Sequence, residues 1–192
     1  AVMGRCVVSG GSDGILKFWD RASLQCWRTA GPPNVDPRHS THGLAVVGER
    51  VLSAHSGLKH LLLWDLSRIT SQESFRGHDD DVYAVHADGP SSLLASGSKD
   101  RTARIWDARL PGQPAVGVLR AHTGAVLDLK LRGNRIVSAS MDKTVRMWDI
   151  RATQAPVATL EGHSADVHCV DFRDRMVLSG SRDTSLKVWT VV

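Results

Sequence analysis

The chain has 192 residues, 42% of them apolar and 23% charged, with a formal net charge of +4. This apolar share excludes a disordered chain, and no apolar run approaches the ~20 residues of a membrane helix. Cys6, Cys26 and Cys169 are odd in number and form no C-x-x-C pair. That excludes a disulfide scaffold and points to free thiols in a reducing compartment, the cytoplasm and/or the nucleus.

In chain order, the first unit places Ser9 ten residues and Asp13 six residues before Trp19. Gly10-Gly11-Ser12-Asp13-Gly14 matches the G-x-S-x-G of serine hydrolases. That elbow needs a helix after it, whereas here the segment continues as a strand to Trp19. A further strand is predicted at Leu24–Arg28, and then comes an irregular proline-rich connection from Thr29 to His39. The second unit ends at Trp64 and departs from the spacing. Leu58 stands where an aspartate is expected, Ser53 is eleven residues before the tryptophan, and Pro37 stands sixteen before Ser53, where the fourth and fifth units have histidine. This unit is expected to lack a polar network and to be the loosest. His39 and His42 have H-x-x-H spacing with nothing to complete a zinc site.

The next three units repeat a fuller pattern: His78, Ser96, Asp100 and Trp106; His122, Ser138, Asp142 and Trp148; His163, Ser179, Asp183 and Trp189. Val167–Phe172 alternates apolar and polar residues as a half-buried strand does. Outer strands are predicted at Glu73–Arg76, Val116–Arg120 and Val157–Leu160. Each unit therefore reads as strands a, b and c, ending at the tryptophan, followed by strand d. The tryptophans recur every 41 to 45 residues, the length of one four-stranded propeller blade.

Chemistry explains why these residue types recur together. A buried indole N–H is only a donor, a serine hydroxyl can accept it and donate onward, histidine accepts at one nitrogen and donates at the other, and aspartate only accepts. A chain Trp–Ser–His–Asp satisfies every member and ties the strands of one unit together. The histidines are thereby assigned to structure. No catalytic residue, cofactor site or metal site is expected, and Asp79-Asp80-Asp81 reads as a solvated acidic turn. One basic residue per unit, at Lys17, Arg104, Arg146 and Lys187, makes a charged rim, so nucleic acid is not an expected partner.

These columns resemble the WD-repeat family over essentially the whole chain. The resemblance implies an all-β WD-repeat β-propeller in a single segment, 1–192, with repeats ending near 20, 65, 107, 149 and 190. Three blades are expected to be whole. The first lacks strand a and the last lacks strand d, as part of a roughly seven-bladed ring whose other blades would precede this segment.

The family's usual docking face surrounds the central channel, at the start of strand a and at the residue before the turn aspartate. By position these are His42, Tyr83, Leu127 and His168, with Ser12, Lys99, Met141 and Arg182. Tyr83, Leu127 and Met141 would anchor a peptide, and Lys99 and Arg182 would meet acidic or phosphorylated groups. Compact blades, such as the one from His163 to Asp183, are similar to those of F-box/WD proteins, the substrate receptors of cullin–RING ubiquitin ligases. That similarity implies protein substrates or peptides as partners, and a ligase adaptor held by an F-box in a region upstream of this one. Trp106-Asp107-Ala108-Arg109 and Trp148-Asp149-Ile150-Arg151 resemble the Trp-Asp-x-Arg motif of WD receptors for a different cullin adaptor, with Arg109 and Arg151 as contacts. A scaffold of a ribonucleoprotein or signalling complex is the remaining alternative.

Overall fold

Runs of alternating apolar and polar residues between Gly- and Asp-bearing turns favour hairpins. In the computed structural model, which describes residues 2–31, 40–65, 70–89 and 92–191, every regular element among those residues is a strand. The connection holding Pro37 and His39 lies outside the described residues. The first sheet contains β1 (Val2–Met3), β2 (Cys6–Gly10), β3 (Leu16–Asp20) and β4 (Cys26–Ala30). The second contains β5 (Thr41–Val47), β6 (Arg50–His55), β7 (His60–Asp65) and β8 (Thr70–Arg76). The third contains β9 (Val82–Ala87), β10 (Leu93–Ser98), β11 (Thr102–Asp107) and β12 (Gly117–Arg120). The fourth contains β13 (Val126–Arg132), β14 (Arg135–Ser140), β15 (Val145–Asp149) and β16 (Ala158–Leu160), and the fifth β17 (Val167–Arg173), β18 (Met176–Ser181) and β19 (Leu186–Thr190). Each sheet is an antiparallel meander, the blade of a partial β-propeller. The first blade is not wholly without strand a, as expected from sequence; its place is taken by two-residue β1, paired with β2.

Burial between blades follows one rule: in the second to fifth blades, the tryptophan of the third strand joins an apolar cluster with the preceding sheet. Trp64 clusters with Val8, Leu16 and Phe18, and Trp106 with Leu52, Leu61 and Phe75. Trp148 clusters with Ala95, Ile105 and Leu119, and Trp189 packs against the cluster containing Val137, Val145 and Met147. Trp64, Trp106 and Trp148 are at most 1% exposed. The outer face of the fifth blade has no such cover among the described residues. Leu178, Leu186 and Val188 are 51%, 82% and 65% exposed, whereas Val137, Val145 and Met147, their counterparts in the fourth blade, are buried.

The polar relay is present in three blades. Trp106, Trp148 and Trp189 donate Nε1–H to Ser96, Ser138 and Ser179 at 2.8, 2.9 and 2.9 Å. These hydroxyls lie 2.7 to 2.8 Å from Nε2 of His78, His122 and His163. The opposite ring nitrogens lie 2.7, 2.7 and 2.8 Å from Asp100, Asp142 and Asp183. A carboxylate cannot donate, so Nδ1 carries the proton and Nε2 accepts from serine. A column that sequence reasoning missed completes the relay: the hydroxyls of Thr102, Thr144 and Ser185 donate to the same aspartates at 2.6 to 2.7 Å.

Two expectations need correction. In the first blade Trp19 bonds Ser9 at 2.9 Å, but no histidine joins them among the described residues, and Asp13 only accepts from Ile15 N–H within its turn. In the second blade a network exists after all. Trp64 donates to Ser53 at 2.7 Å, Ser53 meets His55 Nε2 at 2.7 Å, and His55 Nδ1 lies 3.3 Å from Thr41 Oγ1. The histidine comes from strand b itself, two residues past the serine, rather than from the loop before strand a.

Burial alone would raise the carboxyls of Asp100 and Asp142, but hydrogen bonds from histidine and threonine outweigh it and hold both well below the usual range. The Ser185 hydroxyl is the main cause of the same lowering at Asp183. A carboxyl depressed in the fold stabilises it above the unfolded value of ~3.9, and that contribution is lost as pH falls through the folded value. Urea midpoints are therefore expected to hold between pH 7 and about 5 and to fall progressively below about 4. Asp142→Asn should be less stable at pH 7 and show a shallower acid slope. A slope identical to that of the parent would place the acid sensitivity elsewhere.

Candidate functional site

The start of strand a is irregular in the same way in four blades. Register slips between Thr41 and Gly43, Val82 and Ala84, Val126 and Asp128, and Val167 and Cys169. His42, Tyr83, Leu127 and His168 are the unpaired residues at these slips. A bulge breaks strict alternation and re-aims its side chain, a common device at rims and binding sites. Beside each bulge, one backbone bond fixes the residue before the b–c turn. Ser56, Lys99, Met141 and Arg182 donate N–H to Ser40, Asp81, Ala125 and Asp166, each at 2.9 Å.

Together these devices shape a pocket of about 430 Å³ lined by His42, Ser56, Asp81, Tyr83, Leu127, Met141 and His168. Four consecutive blades contribute to it, so it lies where their inner strands converge. His42 meets Tyr83 edge-on, with ring centroids 5.1 Å apart. Asp81 Oδ1 accepts Gly57 N–H from the neighbouring blade at 2.8 Å, which orients the carboxylate. Partial burial lowers the His42 pKa below its ordinary value despite the opposing Asp81 charge, so its ring is neutral near pH 7.

Of the residues singled out from sequence, His42, Tyr83, Leu127, Met141 and His168 come together in this pocket. Lys99 and Arg182 do not line it: Lys99 Nζ lies 3.6 Å from Asp80 on the rim, and Arg182 is exposed on the fifth blade. Asp81 and Ser56 were missed. The run Asp79–Asp81 reads as a solvated turn unless its last member is aligned with the residue preceding strand a. Ser56 was hidden by the irregular spacing of the Trp64 unit. Ser12 lies in the turn before β3, with no helix after it, so the G-x-S-x-G match has no elbow geometry. Among the described residues, no group of three His, Cys, Asp or Glu side chains is placed to hold a metal ion, and no helix is long and apolar enough to cross a membrane. Cys6, Cys26 and Cys169 are free thiols.

Arg109 and Arg151 lie elsewhere, at the ends of the third strands. Each folds back on the aspartate two residues earlier. Arg109 reaches Asp107 at 2.6 Å and Arg151 reaches Asp149 at 2.5 Å, while 73% and 70% of the arginine side chains stay exposed. The Arg109 side chain and backbone hydrogen bonds lower the Asp107 carboxyl to about 2.

Comparison with known proteins fits this architecture. The family described as "WD domain, G-beta repeat" matches residues 2–20, 69–107, 113–149 and 154–190, more than half of the chain. Rat transducin beta-like protein 3 is 33% identical over 190 residues, 95% of this chain and 23% of its own length. The F-box/WD repeat-containing protein sel-10 of Caenorhabditis elegans is 30% identical over 112 residues, 57% of this chain and 19% of its own length. The chain thus spans less than a quarter of the length of either relative. The crystal structure of the computationally designed Ika8 protein superposes with a TM-score of 0.84 at 27% identity, covering 100% of this chain and 57% of that one. The chain belongs to the WD-repeat family and is a protein-interaction module of that family.

Proposed function

We propose that the chain is the non-catalytic, substrate-docking propeller segment of a ubiquitin-ligase receptor of the F-box/WD type, acting in the cytoplasm or nucleus. The observation that carries the docking part is the pocket built from four bulged strands. Repetition of an irregularity blade after blade positions side chains for a ligand rather than for the core. The ligase part is supported by the compact blades and by the likeness to sel-10. An F-box adaptor would be held by residues outside this segment, and a protein substrate or peptide by the pocket.

A second reading rests on Arg109 and Arg151. Two exposed guanidinium groups, held in the same forked pose one blade apart, suit a flat acidic surface of another cullin adaptor. Immunoprecipitation of the protein from cells, followed by detection of cullins and their adaptors, tests both. Under the first reading an F-box adaptor co-purifies, and Arg109→Ala with Arg151→Ala leaves it in place. Under the second, that pair of substitutions lowers adaptor recovery at least about tenfold. Absence of any cullin adaptor removes the ligase reading and leaves a scaffold.

A further inference from the structure

We infer that the occupant of the four-blade pocket is a cationic side chain, a lysine or arginine presented by an extended peptide; this rests on the docking role proposed above. Among the lining residues, Asp81 alone carries a permanent charge. A chain with net charge +4 has therefore placed a single carboxylate, and no lysine or arginine, among the residues that line this pocket. Only one Asp81 oxygen has a hydrogen-bond partner among the described residues, Gly57 N–H. The other can accept from a ligand, and an ionised acceptor forms its strongest hydrogen bonds with charged donors.

The walls match the rest of such a side chain. Leu127 and Met141 offer apolar surface for methylenes, and Met141 is 45% exposed although its neighbours in β14 are buried. Tyr83, in a T-shaped pair with His42, brings an aromatic ring to the lining, and a tyrosine π-face attracts a cation. His42, neutral near pH 7, adds no opposing charge. The volume of about 430 Å³ falls in the range of ordinary ligand sites and leaves room for the peptide backbone across the mouth.

The rim cations do not reverse this preference. Lys99 is already matched by Asp80, and Arg182 lies outside the lining. Both side chains are exposed, and exposed charges are screened within about 8–10 Å at physiological salt. A phosphorylated peptide entering the pocket would instead meet the Asp81 carboxylate.

The test uses the whole chain and immobilised nonapeptide pools, degenerate except for a central residue fixed as Arg, Lys, Leu, Phe, Glu or phosphoserine. The Arg and Lys pools are expected to retain about tenfold or more protein than the Glu and phosphoserine pools. Asp81→Asn keeps the oxygen that accepts Gly57 N–H but removes the charge, and Met141→Lys puts a competing cation at the mouth without touching that bond. Both are expected to abolish the preference while circular-dichroism melting stays unchanged. Best retention by Leu or Phe pools, or by Glu or phosphoserine pools, overturns the cationic occupant and leaves the docking role standing. An Arg or Lys preference that survives both substitutions places the cation elsewhere and also overturns it. Failure of every pool to be retained overturns the docking role itself.

Discussion

Trp148→Ala is expected to cost about 3–5 kcal/mol in urea unfolding, the range for deleting a large buried aromatic. The ring is fully buried between the third and fourth blades, in the cluster with Ile105, Leu119 and Leu129. Its loss would open a cavity that two flanking sheets cannot readily close, because each sheet is fixed by its own ladder. It would also leave Ser138 without its indole donor while His122 still requires the hydroxyl proton. Trp148→Phe separates these contributions. It retains most of the apolar volume and loses the hydrogen bond, so a cost of about 1–2 kcal/mol is expected. Trp19→Ala is the control, since that ring is only partly buried and its bond to Ser9 is exposed. Its cost should be smaller than that of Trp148→Ala, and equal costs would disprove the inter-blade role of the ring.

The same contrast explains what could be read from the sequence. Trp, Ser, His and Asp at fixed spacing encode a complete donor–acceptor relay, so Ser96, Ser138 and Ser179 could be assigned partners before any coordinate was known. Periodicity also carried the strands and the blade count, because hairpin meanders bring sequential neighbours together in space. The site was legible only where it followed that periodicity. His42, Tyr83, Leu127 and His168 could be placed by column, but their bulges could not, since a one-residue register slip leaves no compositional mark. Asp81 was misread because its role depends on Gly57 in another blade, a contact no local pattern encodes. Lys99 and Arg182 were grouped with the pocket by column, although the concavity is bounded by the second to fifth blades in a way that leaves both side chains outside its lining.

His55→Ala is expected to destabilise the second blade by about 2–4 kcal/mol, contrary to the expectation that this blade has no network to lose. His55 is fully buried and stands directly across the ladder from Thr41, so its ring can bridge Ser53 to a hydroxyl. This repeat therefore meets the same demand, a proton acceptor for Ser53 while Ser53 accepts from Trp64, with a residue of its own strand. A double-mutant cycle tests the wiring directly. Ser53→Ala and His55→Ala share one bond, so their combined cost should fall short of the sum by about 1 kcal/mol or more, and the same cycle between His55 and Ser138, two blades apart, should be additive. Additivity of the Ser53 and His55 costs would show that His55 fills space in the second blade without relaying a proton through it.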